Sequence, residues 1–175
     1  DIILLLILKF IIMDTSHLYM FVDYDGVVKT FAENLPGRFN RQKMPFSHSM
    51  IRILSCIAWQ ARLPAYFIPI TSSPGDYTPA ELKRMFLEVY GVDNLDLHPD
   101  IPIVPVRKDR HIYVQNILAK YRPRYHLVLD DETFWYENQN LNYFRTDTYN
   151  GITHDVFSQI WDFAANIYLE NQKHL

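Results

Sequence analysis

The sequence contains one cysteine, Cys56, among its 175 residues. A single cysteine excludes an internal disulfide and a cysteine metal cluster, and it favours a reducing compartment such as the cytoplasm. Cys56 lies in a helical pattern with Ile53, Leu54 and Ile57. We therefore expect it to be a small residue of the core rather than a reactive thiol.

The sequence also lacks an apolar run long enough to cross a membrane near its start. Residues 2–12 are apolar except for Lys9, whereas a transmembrane helix needs about 20 such residues. They show neither the basic start nor the small-residue cleavage site of a signal peptide. We expect residues 1–12 to be an extension outside the fold and residues 13–175 to form one cytoplasmic domain. Weak membrane association through residues 2–12 is the alternative.

Neither sign of charge dominates the composition. The chain has 17 Lys and Arg residues against 20 Asp and Glu residues, which gives a net charge of −3. This balance excludes a protein that coats nucleic acid over its whole surface, although it permits a local basic groove.

About half of the chain is apolar, and the apolar runs alternate between strand and helix patterns. Short continuous runs predict buried strands, and apolar residues three and four apart predict helices. This alternation predicts a mostly parallel sheet between two helical layers, a Rossmann-like three-layer α/β sandwich. The predicted strands are 18–22, 65–70, 101–106, 125–129 and 141–145, and the predicted helices are 47–62, 79–90, 109–121 and 155–169.

Polar side chains follow three of the predicted strands, at the edge where open parallel sheets bind ligands. Carboxylates directly after a buried strand need a partner or a metal ion, because a lone buried charge is costly. A glycine among them lets the backbone turn sharply and leaves room for a ligand. The candidate residues at this edge are Asp23, Tyr24, Asp25, Gly26, Thr71, Ser72, Lys108, Arg110, Asp130 and Asp131.

These residue types predict phosphoryl transfer assisted by Mg²⁺. Mg²⁺ prefers hard oxygen ligands, one carboxylate can attack phosphorus, and a second can protonate the leaving oxygen and activate water. Thr71 and a basic side chain would hold the phosphoryl oxygens. The structural alternatives are turn capping by Asp23 and Asp25, a strand-end turn at Thr71 and a helix N-cap at residues 130–131.

The motifs resemble those of the haloacid dehalogenase-like phosphohydrolases. Residues 21–28 (FVDYDGVV) are similar to the first motif of this superfamily, a hydrophobic strand followed by Asp-x-Asp-Gly. Thr71 after its strand is similar to the second motif, and residues 127–131 (LVLDD) are similar to the fourth. The third motif is a single basic residue, for which Arg110 and Lys108 are both candidates.

The order of the motifs is most similar to that of the phosphatase domain in Swiss Army Knife RNA-repair proteins. That group has Thr-Asp followed by Gly-Leu-Thr near its end, and this chain has Thr-Asp at 146–147 and Gly-Ile-Thr at 151–153. The Trp-Arg that often follows two serines in that group is replaced here by Pro-Gly at 74–75. The resemblance covers residues 18–160 and suggests nucleotides or nucleic-acid termini as substrates.

The resemblance implies a role for each candidate residue. Asp23 would be the nucleophile and a metal ligand, and Asp25 would be the general acid and base, with its backbone carbonyl on the metal. Thr71 would bind the phosphoryl group, and Arg110, or Lys108 in its place, would stabilise the charge of that group. The remaining implied contacts are Asp130 and Asp131 to Mg²⁺, and Tyr24, Gly26 and Ser72 to the substrate.

By the same resemblance, residues 29–43 are expected to form a small flap over an otherwise capless site. This segment holds four basic residues and one acidic residue, so it would attract a phosphate backbone. A plain solvated loop is the alternative. Trp135 and Tyr136 are expected to pack within the fold rather than to stack on bases.

Two other functions fit the same fold and acids. One is a binding module that holds metal and phosphate without turnover. The other is a receiver-like domain, in which the phosphorylated Asp ends a later strand and the paired acids follow the first strand. The intact acids at positions 23, 25, 130 and 131 argue against the binding module. The Asp-x-Asp-Gly spacing and the separate acids Asp130 and Asp131 favour the phosphatase over the receiver-like domain.

Overall fold

A computed structural model describes residues 14–30, 46–72, 77–136 and 139–173. Five strands in these residues form one sheet in the order β3-β2-β1-β4-β5, and every neighbouring pair is parallel. The sheet confirms the predicted Rossmann-like α/β fold. The strands are β1 (Asp14–Val22), β2 (Ala65–Pro69), β3 (Leu95–Asp96), β4 (Pro123–Asp130) and β5 (Tyr143–Arg145).

Four α-helices connect or follow the strands in the described residues, close to their predicted positions. The Ser47 hydroxyl accepts a hydrogen bond from the Met50 amide and caps the first helix. Thr78 and Glu81 cap each other's backbone at the second helix, which continues as a π-helix at Met85–Val89. The helices are α1 (His48–Ala61), α2 (Pro79–Arg84), α3 (Arg110–Tyr121) and α4 (His154–Gln172).

The central strand β1 is buried on both faces, which makes the domain three layers thick. Successive side chains of a strand point to opposite faces. Leu18, Met20 and Val22 pack into one apolar cluster with residues of α1, α2 and α4, whereas Tyr19 and Phe21 pack into a second cluster with residues of α3. The side chains of β1 therefore lie in apolar surroundings on both faces, and the polar residues begin directly after its carboxyl end.

Two sequence predictions about local structure are wrong. Residues 101–106 form no strand, because Pro102 and Pro105 lack the N–H that a strand ladder requires. The edge strand next to β2 is instead the short strand β3. Cys56 is exposed rather than buried, since the core-facing stripe of α1 runs through Leu54 and Ile57 and passes it by.

Some predictions lie outside the described residues. These include the extension at residues 1–12 and residues 31–43, which are most of the proposed flap. Among the helices that the structure describes, none combines the length and the apolar character needed to cross a bilayer.

Candidate functional site

The carboxyl ends of β1 and β4 bring two aspartates together. Val22 and Leu129 are partners in the parallel register, and the Asp23 amide donates to the Leu129 carbonyl at 3.0 Å. Asp23 and Asp130 are therefore neighbours at one edge of the sheet, and both are buried. Together with the half-buried Asp131 they form a cluster in which one carboxylate oxygen from each residue lies within 4.8 Å of the others.

Arg110 at the start of α3 binds both buried acids. Its Nη1 lies 2.9 Å from Asp23 Oδ2 and 2.7 Å from Asp130 Oδ2. The preceding Asp109 adopts a left-handed conformation with φ of 51° and turns the chain into the helix. Lys108, the other candidate for the basic position, is exposed and makes no ion pair with the described residues. The structure thus brings Arg110, and not Lys108, to the acids.

Asp23 and Asp130 share one guanidinium, so negative charge exceeds positive charge when all three groups are ionised. Burial raises the pKa of Asp23, the charge of Asp130 raises it further, and Arg110 opposes both effects. Burial also raises the pKa of Asp130 against the lowering effect of Arg110. Burial alone would lower the pKa of Arg110, but the two carboxylates raise it overall, so the guanidinium stays charged. One guanidinium shared by two carboxylates neutralises only one of them.

Gly26 is required beside Asp131. Its φ is 73°, a conformation that L side chains rarely adopt, and an ideal Cβ there would lie 2.6 Å from Asp131 Cγ. The space that the sequence predicts at this glycine is therefore filled by the Asp131 side chain. That side chain makes no hydrogen bond within the described part of the protein, so its oxygens can serve as ligands.

The turn after β1 carries Asp25, whose carboxylate is not one of the three in the acidic cluster. The Tyr24 carbonyl accepts hydrogen bonds from the amides of Val27, Val28 and Lys29, and these bonds close the turn around Asp25. The Asp25 side chain is half-buried and makes no ion pair with the residues that the structure describes. It is therefore not held in place by the fold in the way that Asp23 is.

The Tyr24 side chain points away from the acids. It is 1% exposed and packs against Phe46 and Phe67 in the core. Its amide donates to Asp23 Oδ1 at 2.8 Å and fixes one oxygen of that carboxylate. A substrate contact by Tyr24 stays a prediction.

Thr71 and Ser72 follow β2 at the same edge of the sheet. The Ile70 amide donates to the Val22 carbonyl, which places the next residue, Thr71, alongside the start of the turn after β1. Thr71 is buried, and its carbonyl accepts from the Val106 amide at 2.9 Å. Ser72 is half-buried. The phosphoryl and substrate contacts of these two residues stay predictions.

Two tyrosines that the sequence assigns no role in the site hold Asp130. The Tyr136 hydroxyl donates to Asp130 Oδ2 at 2.9 Å, and the Tyr143 hydroxyl donates to the Asp130 carbonyl at 3.1 Å. The Glu132 amide donates to the other carboxylate oxygen, Oδ1, at 3.0 Å. Burial raises the pKa of Tyr136, as does the charge of Asp130, so its phenol remains a hydrogen-bond donor. Only the closeness of Tyr136 to Asp130 in sequence hints at this contact.

The loop after β5 contacts Asp130 and the turn after β1 at the carboxyl edge of the sheet. The Thr146 amide donates to the Asp130 carbonyl at 3.0 Å, and Asp147 closes a turn by accepting from the amides of Tyr149 and Asn150. An ideal Cβ at Gly151 would lie 2.7 Å from Thr30 Cγ2. This loop therefore packs tightly against the turn that carries Asp25.

No protein-family model matches this chain, and no curated protein matches it in sequence. The structure itself shows a Rossmann-like parallel sheet whose carboxyl edge holds an acidic cluster of Asp23, Asp130 and Asp131. This cluster could bind a metal ion.

Proposed function

We propose that this protein is a Mg²⁺-dependent phosphomonoesterase of the haloacid dehalogenase type, with Asp23 as its nucleophile. The observation that carries the proposal is the placement of Asp23 and Asp130, which end adjacent parallel strands and share Arg110. The resemblance of the motifs at 21–28, at Thr71 and at 127–131 supports the same assignment.

The acidic cluster fits a divalent cation in ligand type and in charge. Three carboxylates and one guanidinium leave a net charge of −2 when all are ionised, and Mg²⁺ prefers such hard oxygen ligands. Asp23, Asp130 and Asp131 would hold the ion through their carboxylates, and Asp25 through its backbone carbonyl. The bound ion would neutralise the carboxylates and the charge of an incoming phosphate.

The fold orients Asp23 for attack on phosphorus. Its Oδ1 accepts from the Tyr24 amide and its Oδ2 accepts from Arg110, so the carboxylate is held at both oxygens before a substrate arrives. Such fixed orientation is a large part of catalytic power. The attack forms a bond between phosphorus and an Asp23 oxygen while the bond from phosphorus to the leaving oxygen breaks.

Asp25 would transfer the protons of both steps. Its carboxyl group first donates a proton to the leaving oxygen. The resulting carboxylate then takes a proton from water, whose oxygen attacks phosphorus and releases inorganic phosphate, and Asp23 is regenerated. The Asp25 side chain makes no hydrogen bond with the described residues that would oppose this exchange.

Arg110 keeps donors for the phosphoryl group. Both of its ion pairs use Nη1, whereas a guanidinium carries five N–H donors on three nitrogens. The Nη2 group therefore remains to bind a phosphoryl oxygen, and Thr71 would make a second contact to the phosphoryl group. These two residues would stabilise the charge that develops in the transition state.

The proposal is tested by phosphate release from a panel of substrates. The panel contains an aryl phosphate, mononucleotides, and oligonucleotides phosphorylated at the 3′ or 5′ end, each assayed with Mg²⁺ and with a chelator. We expect release with Mg²⁺ that disappears with the chelator. The Asp162→Asn variant, which removes an exposed acid from the middle of α4, is the matched control and should retain full activity.

Either alternative function would give a different result in the same assay. Mg²⁺ binding by the folded protein without release from any substrate would contradict the phosphatase and favour the binding module. A long-lived phosphorylated protein without turnover would favour the receiver-like domain. Nucleotides and nucleic-acid ends are the substrates that the resemblance suggests, and the preferred member of the panel would identify the class.

A further inference from the structure

A stacked pair of tyrosines, Tyr136 and Tyr143, lies against Asp130. Their ring centroids are 4.6 Å apart with an angle of 22° between the planes. The Tyr136 hydroxyl binds the Asp130 carboxylate, and the Tyr143 hydroxyl binds the backbone carbonyl of the same residue. One aromatic pair therefore fixes both the side chain and the main chain of one proposed metal ligand.

The hydrogen bonds to Asp130 distinguish its two carboxylate oxygens. A carboxylate oxygen accepts about two hydrogen bonds. Oδ2 already has two donors, Arg110 Nη1 at 2.7 Å and Tyr136 Oη at 2.9 Å. Oδ1 has one donor in the described residues, the Glu132 amide at 3.0 Å. Oδ1 therefore keeps a free lone pair, whereas Oδ2 does not.

We propose that Tyr136 is a positioning residue of the metal site, which saturates Asp130 Oδ2 and leaves Oδ1 as the oxygen that binds the cation. This inference rests on the metal site of the proposed function and adds a residue to it. Without the Tyr136 hydroxyl, Arg110 alone would hold Oδ2, and Oδ2 would regain a lone pair that competes with Oδ1 for the cation. Partners of this kind orient a metal ligand, and their removal commonly weakens metal binding by about 10- to 100-fold.

The two tyrosines offer a matched pair of substitutions for the test. Tyr136→Phe removes the hydroxyl on the carboxylate, and Tyr143→Phe removes the hydroxyl on the carbonyl, while both keep the aromatic stack. We would titrate Mg²⁺ into chelator-treated wild type and both variants by calorimetry, without substrate, below the lowest melting temperature of the three. For the same three proteins we would also measure the substrate KM and the Mg²⁺ concentration that gives half-maximal activity.

We expect Tyr136→Phe to weaken Mg²⁺ binding by about tenfold or more, and Tyr143→Phe to leave it within about twofold of wild type. The Mg²⁺ requirement for activity should rise in Tyr136→Phe alone, with the substrate KM at saturating Mg²⁺ unchanged. Unaltered binding in Tyr136→Phe, or equal losses in both variants, would overturn the inference and leave the metal site standing. Absence of Mg²⁺ binding by wild type would overturn the metal site and this inference together.

Discussion

Replacing Arg110 by methionine is expected to lower the free energy of unfolding by about 3–5 kcal/mol at neutral pH. The guanidinium is buried and pairs with both Asp23 and Asp130 through one nitrogen. Its removal leaves two buried acids beside each other, with no other positively charged side chain of the described residues paired to them. Urea denaturation of wild type and variant in the presence of chelator measures the difference.

The pH dependence of this loss identifies its cause. Without Arg110 the pKa values of Asp23 and Asp130, already raised by burial, rise further. Asp23, whose pKa is already about 8 in wild type, stays largely protonated at neutral pH, so the pH-dependent part of the loss comes from Asp130. Asp130 takes up a proton as the pH falls toward its ordinary pKa of 3.8, and the loss should shrink there. Adding Asp130→Asn to Arg110→Met should recover much of the stability at neutral pH.

Lys108→Met is the matched control for Arg110→Met. Lys108 lies two residues earlier and is exposed, so its replacement should change the unfolding free energy by less than about 0.5 kcal/mol. An equal loss in both variants, or a loss in Arg110→Met that does not change with pH, would contradict the shared-guanidinium account.

Asp23→Asn is expected to abolish turnover while it stabilises the metal-free protein. The amide keeps the shape of the side chain and an oxygen for hydrogen bonds, but it cannot form the phosphoryl ester. Loss of a nucleophile typically lowers kcat by roughly 10³-fold or more. Phosphate release at saturating Mg²⁺, compared with Asp162→Asn, measures this effect.

The gain in stability follows from the raised pKa of Asp23, which burial and then Asp130 bring to about 8. A carboxyl group whose pKa is raised by folding stabilises the fold while protonated, and this contribution is lost as the pH rises from its ordinary pKa of 3.8 toward the raised value. The asparagine does not ionise. In chelator, the variant should therefore be more stable than wild type by on the order of 1–3 kcal/mol near pH 8, with little difference near pH 4.

Added Mg²⁺ should reverse this order, because the cation stabilises the ionised carboxylate of wild type and the amide is a poorer ligand. Thermal denaturation of both proteins across this pH range, with chelator and with Mg²⁺, gives the comparison. A variant less stable than wild type at every pH in chelator would contradict this prediction. It would show that Asp23 stabilises the metal-free fold and that its ionisation does not destabilise it.

The sequence predicts the layers of the fold and the acids of the site for a simple physical reason. Buried parallel strands are continuous apolar runs, so β1 and β4 stand out, and the acids that follow them must lie at the same edge. Asp23, Asp130 and Asp131 are therefore brought together as predicted.

The features that the sequence does not predict depend on tertiary packing. The choice of Arg110 over Lys108 depends on the left-handed turn at Asp109, which no local pattern reveals. The contact of Tyr136 with Asp130 depends on the fold of residues 132–136 after β4. The edge strand β3 has only two residues, which is too short for a periodic pattern.

The most direct test of Asp23 as the nucleophile is to trap its phosphorylated form. Borohydride reduces an aspartyl phosphate to homoserine, which peptide mass spectrometry locates in the chain. During turnover with Mg²⁺ and the preferred substrate, we expect homoserine at position 23 and none when substrate is omitted. Phosphate release without homoserine at position 23, or with homoserine at position 25, 130 or 131 instead, would contradict the assignment of Asp23 as the nucleophile.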